Sequence, residues 1–202
     1  MSINKKLDPR VKRTHQLLRE ALIALMCEKG YDAITVQDIA QRATLNRATF
    51  YLHFRDKEDL LQQTIDDILN DLSSGMTSVA IAEKEDEPHP DLIYIFEHVS
   101  RNSDFYKVML GKNGLPGFMF RLSDMISRRL HEKIAARQPD ENQLKVAKDI
   151  FTSYVTWAYL GVIVWWLEND MPYTPKYMAT QLTLLRIQHR RLLFGEHKEQ
   201  MP

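Results

Sequence analysis

The sequence predicts an all-α fold in two parts, a three-helix N-terminal module over residues 1–60 and a larger helical part over residues 61–202. Three observations predict it. Apolar residues recur at the spacing of a helix face along most of the chain. No run alternates apolar and polar residues as a half-buried strand does. Gly, Pro, Asn and Ser/Thr punctuate the apolar runs where helices start and stop.

The first helix is expected from about Arg10 to Lys29. Leu17, Leu18, Ala21, Leu22, Leu25 and Met26 form a broad apolar stripe, and Gly30 is a natural C-cap. Cys27, the only cysteine, lies on this helix and reads as a structural residue, since one thiol cannot close an intrachain disulfide. The stretch Ile34 to Leu61, ITVQDIAQRATLNRATFYLHFRDKEDLL, is the most informative. Thr35 can accept from an orphan amide at a helix start, and Asp38 completes a near capping box, so a helix begins at Val36. Val36, Ile39, Ala40 and Ala43 keep helical spacing until Thr44, Leu45 and Asn46 interrupt it. Asn46 caps a second helix from Arg47 to about Phe54, on which Phe50 and Phe54 share a face that must be buried. The opposite arc carries Ala48, Thr49 and Leu52, with Tyr51 on its flank and Arg47 at its exposed start. Asp56 caps a third helix that runs through Leu60, Leu61, Ile65, Ile68, Leu69 and Leu72 to about Ile81.

Two short helices across a tight turn are the grammar of a DNA-binding helix-turn-helix. The second helix sets its N-terminal side chains against base edges in the major groove, while the first crosses the backbone. The residue types suit that work. Arg47 can contact guanine through two bonds, Thr49 and Tyr51 can reach phosphate or a thymine methyl, and Ala48 permits close approach. Gln37 can bond an adenine edge, Asn46 sits at the helix entry, and Thr35, His53 and Lys57 are placed for phosphate. A plain helical hairpin with a solvated polar face gives the same local pattern, so the rest of the chain must decide between them.

The segment resembles the N-terminal domain of the TetR family of bacterial transcriptional regulators. The matching positions are Thr35, Ile39-Ala40, Ala43, Thr49-Phe50-Tyr51, His53-Phe54 and Lys57-Glu58 with Leu60. Two positions depart from the family pattern. Thr44 stands where a turn glycine is usual, and a β-branched residue disfavours positive φ; Ala48 stands where glycine is common, which alters groove fit.

Charge is divided along the chain. Residues 1–60 hold 11 Lys and Arg against 8 Asp and Glu, and the remainder holds 16 against 19, so the formal zero hides a basic head and an acidic body. Arg10, Lys12 and Arg13 suit phosphate neutralisation; Lys5 and Lys6 fit equally a DNA-binding arm or a solubility tail. The N-terminus has no apolar core after its charges, so no signal peptide is expected and the protein should be cytoplasmic and reduced.

Beyond the head, the acidic run Glu83 to Glu87 with Pro88 and Pro90 reads as a solvated loop; metal binding there with His89 lacks any ligand spacing. Helices are then expected over Asp91–Asn102, Asp104–Leu110 with Ser103 as N-cap, Pro116–Arg137, Glu141–Asn169 and Pro175–Phe194 with Thr174 as cap. Ile150 to Leu167, IFTSYVTWAYLGVIVWWL, has no charge over 18 residues. Its length makes it a membrane-span candidate. Its Thr, Ser, Tyr and Gly content and the lack of a flanking basic cluster favour instead a helix with one face in its own subunit and another on a partner. With the last helix it predicts a dimer interface that includes Tyr159, Val162, Trp166, Leu182, Leu185 and His189.

The TetR resemblance also places dimerisation there, with two recognition helices about 34 Å or more apart reading a near-palindromic double-stranded operator. It further implies a small-molecule pocket among the middle helices, for which Phe96, Phe105, Tyr106, Met109, Phe118, Phe120, Tyr154 and Trp157 are the candidates. FEHVSRNSDFYKVMLGKNGLPGFMFRL and WWLENDMPYTP resemble one C-terminal subgroup of the family. The implied function is a dimeric repressor released from its operator by an effector, with an activator that recruits a partner as the alternative. No nucleophile motif, phosphate loop or His-x-x-x-His pair stands among the residues, so no enzyme, cofactor or metal is expected. His98, His131, His189 and His197 are expected at the surface or at caps.

Overall fold

The computed structural model describes residues 8–76, 87–111, 114–115, 117–136 and 146–194, with side chains as far as 185 in the last helix. Among these residues the chain is helical, in the order α1 (Pro9–Lys29), α2 (Val36–Arg42), α3 (Arg47–His53), α4 (Lys57–Gly75), α5 (Pro90–Arg101), α6 (Ser103–Leu110), α7 (Phe118–Ala136), α8 (Lys148–Glu168) and α9 (Pro175–Phe194). Lys5, Lys6, Ile81, Glu83 to Asp86, Pro116, Arg137, Glu141 and His197 lie outside the described residues, as do the side chains of Ile187, His189 and Leu192.

The chain forms two compact units, Met1–Asn70 and Asp71–Pro202. The division falls inside α4 and not at residue 60, because α4 buries Leu60, Leu61, Ile65, Ile68 and Leu69 before it. In the first unit Leu18 and Leu22 of α1, Ile34 before α2, Ile39 and Ala40 of α2, and Phe50 and Phe54 around α3 are buried as well. Asp8 caps α1 through the amide of Arg10 (2.8 Å), and Asp56 caps α4 through the amide of Asp59 (2.8 Å).

The α2–α3 turn takes the glycine geometry without glycine. Thr44 has φ 57°, its amide donates to Gln41 O (3.1 Å), and the amide of Leu45 donates to Ala40 O (2.9 Å). These two bonds are the Schellman closure, in which the residue after the C-cap turns left-handed. The departure from the family pattern is thus absorbed as strain, of order 1–2 kcal/mol for a residue with a Cβ, and the turn keeps its shape.

In the second unit α5 packs on α9, α7 on α8, and α6 on both α7 and α8. Phe96 meets Trp166 edge-on at 5.1 Å, and Trp166 Nε1 donates to Tyr173 O (2.9 Å). The amide of His89 donates to Thr183 Oγ1 (2.8 Å), tying the entry of α5 to α9, and buried Asp91 pairs with Lys133 of α7. Three expectations are corrected here. Asn102, not Ser103, precedes α6, and its side chain bonds back to His98 O (2.9 Å). Val146 and Ala147 are not helical, so α8 starts at Lys148. His98 is fully buried, because its ring fills the space between Tyr94 and Tyr106.

α8 is long and apolar enough by length and composition to cross a membrane. Thr152, Val155, Thr156, Leu160, Ile163, Trp166 and Leu167 are nevertheless buried within its own fold, which is how a core helix behaves.

Candidate nucleic-acid interface

The geometry of α3 follows from its caps. Asn46 Oδ1 accepts from the amide of Thr49 (2.7 Å) and from Thr49 Oγ1 (3.0 Å), which starts the helix and spends the Thr49 hydroxyl on its own cap. Phe50 and Phe54 then turn inward, so Arg47, Ala48, Tyr51 and Leu52 face solvent together. Arg47 Nη2 donates to Tyr51 Oη (3.1 Å), and its guanidinium carbon lies 5.3 Å from the centre of the Tyr51 ring. The pair restrains the planar guanidinium on the exposed arc of α3. Leu52, 81% exposed, extends this face by one turn. The sequence places it on the outward arc with no assigned contact; an apolar side chain with nothing in its own unit to bury it is the signal that marks it.

α2 is fixed by a full capping box. Thr35 N and Thr35 Oγ1 both donate to Asp38 Oδ2 (2.8 Å each), and Asp38 N donates to Thr35 Oγ1 (3.2 Å). Lys29 joins the carboxylate at 2.9 Å, and its bond, followed by those of Thr35, pulls the Asp38 carboxyl down to about 2. Thr35 therefore starts α2 and has both of its groups engaged there. Gln37 is exposed on the first turn of α2. His53 is half-buried with its ring 5.1 Å from His15, whose own imidazole is held below its ordinary range by burial and then by His53.

Lys57, expected at phosphate, is engaged within its own unit. Its Nζ donates to Tyr31 O (3.1 Å), Asp32 O (3.4 Å) and Ile34 O (2.9 Å), and it lies 4.5 Å from the centre of the Tyr31 ring. All three ammonium protons are directed at the loop before α2. Lys57 is a clamp on that loop, and its charge faces backbone carbonyls where a phosphate was expected.

Residues 18–64 match the family model described as "Bacterial regulatory proteins, tetR family", and residues 86–188, half of the chain, match the one described as "Transcriptional regulator C-terminal region". The chain belongs to the TetR family. Among its relatives, the HTH-type transcriptional regulator YxbF of Bacillus subtilis is 26% identical over 189 residues, 89% of this chain and 46% of that protein. IcaR of Staphylococcus aureus, named as the negative regulator of the biofilm operon icaADBC, is 24% identical over 66% of this chain and 73% of its own length. The chain spans 37–51% of the length of the first three curated relatives it matches. A transcriptional regulator from Aquifex aeolicus shares the fold with a TM-score of 0.63 at 18% identity, over 87% of this chain and 98% of that one.

The residues expected to line a TetR-type effector pocket divide. Phe96, Phe105, Tyr106, Met109 and Phe118 are buried, and Phe105, Tyr106 and Phe118 pack ring against ring. Phe120, Tyr154 and Trp157 are exposed, and Phe120 and Trp157 meet each other edge-on at 6.4 Å. The expected dimer face is likewise rephased. Trp166 and Leu182 are buried in their own subunit, Tyr159 and Val162 are half-buried, and Leu185 is exposed. The solvent-facing stripe of α8 is Ile150, Tyr154, Trp157, Gly161 and Trp165, continued on α9 by Tyr177, Leu184 and Leu185. Among the described residues no group of three His, Cys, Asp or Glu side chains is arranged to hold a metal ion.

Proposed function

We propose that this protein is a homodimeric transcriptional repressor that reads a near-palindromic operator through α3 and leaves it when a small molecule occupies the C-terminal unit. The observation that carries the reading is α3 itself: a seven-residue helix whose inner arc is buried by Phe50 and whose outer arc presents Arg47 stacked on Tyr51. Such a helix has little reason to exist unless its outer face meets a partner, and the partner its residues suit is a base edge. We place Gln37, Ala48 and the Thr49 methyl beside them, with His53 toward the backbone. The name of IcaR supports repression.

The apolar stripe on α8 and α9 supports self-association. Four large side chains of α8 stand exposed around Gly161, and a Cβ at Gly161 would meet nothing within 4 Å in its own subunit. The glycine therefore leaves room for a second copy of the helix to approach, as a two-fold interface requires. Effector release then amounts to selection of a head spacing that no longer fits two half-sites. We propose no catalytic activity, and action in the cytoplasm where the operator lies.

Selecting bound sites from a random double-stranded DNA library with the full-length protein tests the reading. An inverted repeat recovered with a steep salt dependence is the expected result, and recovery of no motif would reject it. Transcription of the neighbouring genes should rise when this gene is deleted; a fall would identify an activator.

A further inference from the structure

We infer that His98 and Tyr106 form the polar anchor of the effector site, shaped for a neutral ligand that carries a hydroxyl on an apolar or aromatic body. The inference rests on the proposal above that a small molecule is sensed in this unit.

Both side chains are fully buried, His98 on α5 and Tyr106 on α6, with ring centres 5.9 Å apart and planes at 72°. His98 Nδ1 lies 3.1 Å from Asp71 Oδ2, in the last turn of α4. A carboxylate there accepts the Nδ1 proton, which leaves Nε2 as a bare acceptor. That Nε2 and the Tyr106 hydroxyl are buried without a hydrogen-bond partner. Buried polar groups are almost always bonded, so two neighbouring exceptions call for a missing partner.

The chemistry of that partner is restricted. A hydroxyl matches the two groups in kind, since it can donate to His98 Nε2 and accept from Tyr106 Oη–H. A carboxylate is disfavoured because burial, and after it the charges of Tyr94 and Asp71, already push the Tyr106 hydroxyl upward, so a further negative charge there is opposed. A cation is disfavoured because burial outweighs Asp71 and holds the His98 imidazole below its ordinary value. Two polar neighbours are engaged elsewhere: Tyr94 Oη donates to Asp71 O (2.8 Å), and Arg101 Nε donates to Glu97 O (3.4 Å). Phe105 and Phe118 lie 5.3 and 6.4 Å from the Tyr106 ring and make the remaining surroundings aromatic. A single imidazole thus joins the unpartnered position to Asp71 of α4.

Phenol, benzyl alcohol and cyclohexanol, with toluene and benzoate as controls, should be titrated into full-length protein while the His98 imidazole nitrogen resonances are followed, assigned by their loss in His98→Phe. The hydroxyl compounds should move the Nε2 resonance, and Tyr106→Phe, which keeps the ring, should weaken them about fivefold, the worth of one hydrogen bond. Toluene and benzoate should do neither. An unmoved Nε2 resonance, or an equal shift with toluene, would overturn the anchor and leave an ordered water as the partner. A metabolite panel scored for operator release separates this from the effector proposal. Release that is undiminished in Tyr106→Phe keeps the effector and rejects the anchor; hydroxyl-dependent Nε2 shifts without any release keep the anchor and reject the effector.

Discussion

The two units expose apolar side chains in opposite ways. Among the described residues of the first, the large exposed hydrophobic ones are Tyr51 and Leu52, both on α3 and set among Arg47, Ala48 and Gln37. In the second they are Phe120, Ile150, Tyr154, Trp157, Trp165, Tyr173, Tyr177, Leu184 and Leu185. A polar face with a few apolar points suits the mixed chemistry of a DNA groove, whereas a stripe of aromatic and aliphatic residues suits another protein surface. Both units end a helix in the left-handed region without glycine, Thr44 after α2 and Asp170 after α8. Asp170 is held by Lys107 at 2.7 Å and belongs to a residue type that tolerates that region; Thr44 has neither advantage.

The adjacent tryptophans of α8 test this contrast most strongly. Trp166→Ala empties a core site and should cost about 3–5 kcal/mol in urea unfolding, whereas Trp165→Ala, at a position 46% exposed, should cost under about 1 kcal/mol and act on association by sedimentation. Equal losses in unfolding would place Trp165 in the core and remove the stripe as an interface. In the head, Arg47→Ala should lose about 1–3 kcal/mol of operator affinity and relax base preference. Unchanged selectivity in a binding-site selection would shift recognition away from the Arg47–Tyr51 pair.

Lys57→Ala should leave the salt slope of DNA binding unaltered and instead lower stability by about 1–2 kcal/mol, the worth of a half-exposed charge-assisted clamp. A slope reduced by about one ion, with stability intact, would return Lys57 to the phosphates. Thr44→Gly should stabilise by about 1 kcal/mol as the left-handed strain is relieved, less the chain entropy that glycine adds to the unfolded state.

The smallest effect is the pH dependence. Burial holds His98 below the ordinary imidazole value of 6.5, and His15 in the head is lowered in the same way. The unfolded chain takes these protons first, so stability should fall as pH drops through about 6.5, and His98→Gln should flatten part of the slope in urea melts. A slope of the opposite sign would mean that Asp71 prevails over burial at His98.

Much of the head was legible because its signals are local. Thr35 with Asp38, Asn46 before Arg47, and Phe50 with Phe54 each act within one helical turn, and each forms the cap or buried face expected of it. The bonds from Lys57 to the carbonyls of Tyr31, Asp32 and Ile34 are not legible, because backbone acceptors leave no trace in the side-chain sequence. The burial of His98 is not legible either, because the sequence of α5 shows a polar side chain at that position and nothing of Asp71 or Tyr106.

By itself the sequence determined that the chain is helical, that a helix-turn-helix precedes a larger helical part, and that α8 is too apolar to stand in water alone. Only the tertiary structure decided which way α8 turns. An amphipathic helix such as α5 carries its orientation in its periodicity, but a run apolar on every side has no phase to read. The packing of Phe96 against Trp166, and the carbonyl of Tyr173 that takes the indole proton, turn Trp166 inward and leave Trp165 outside.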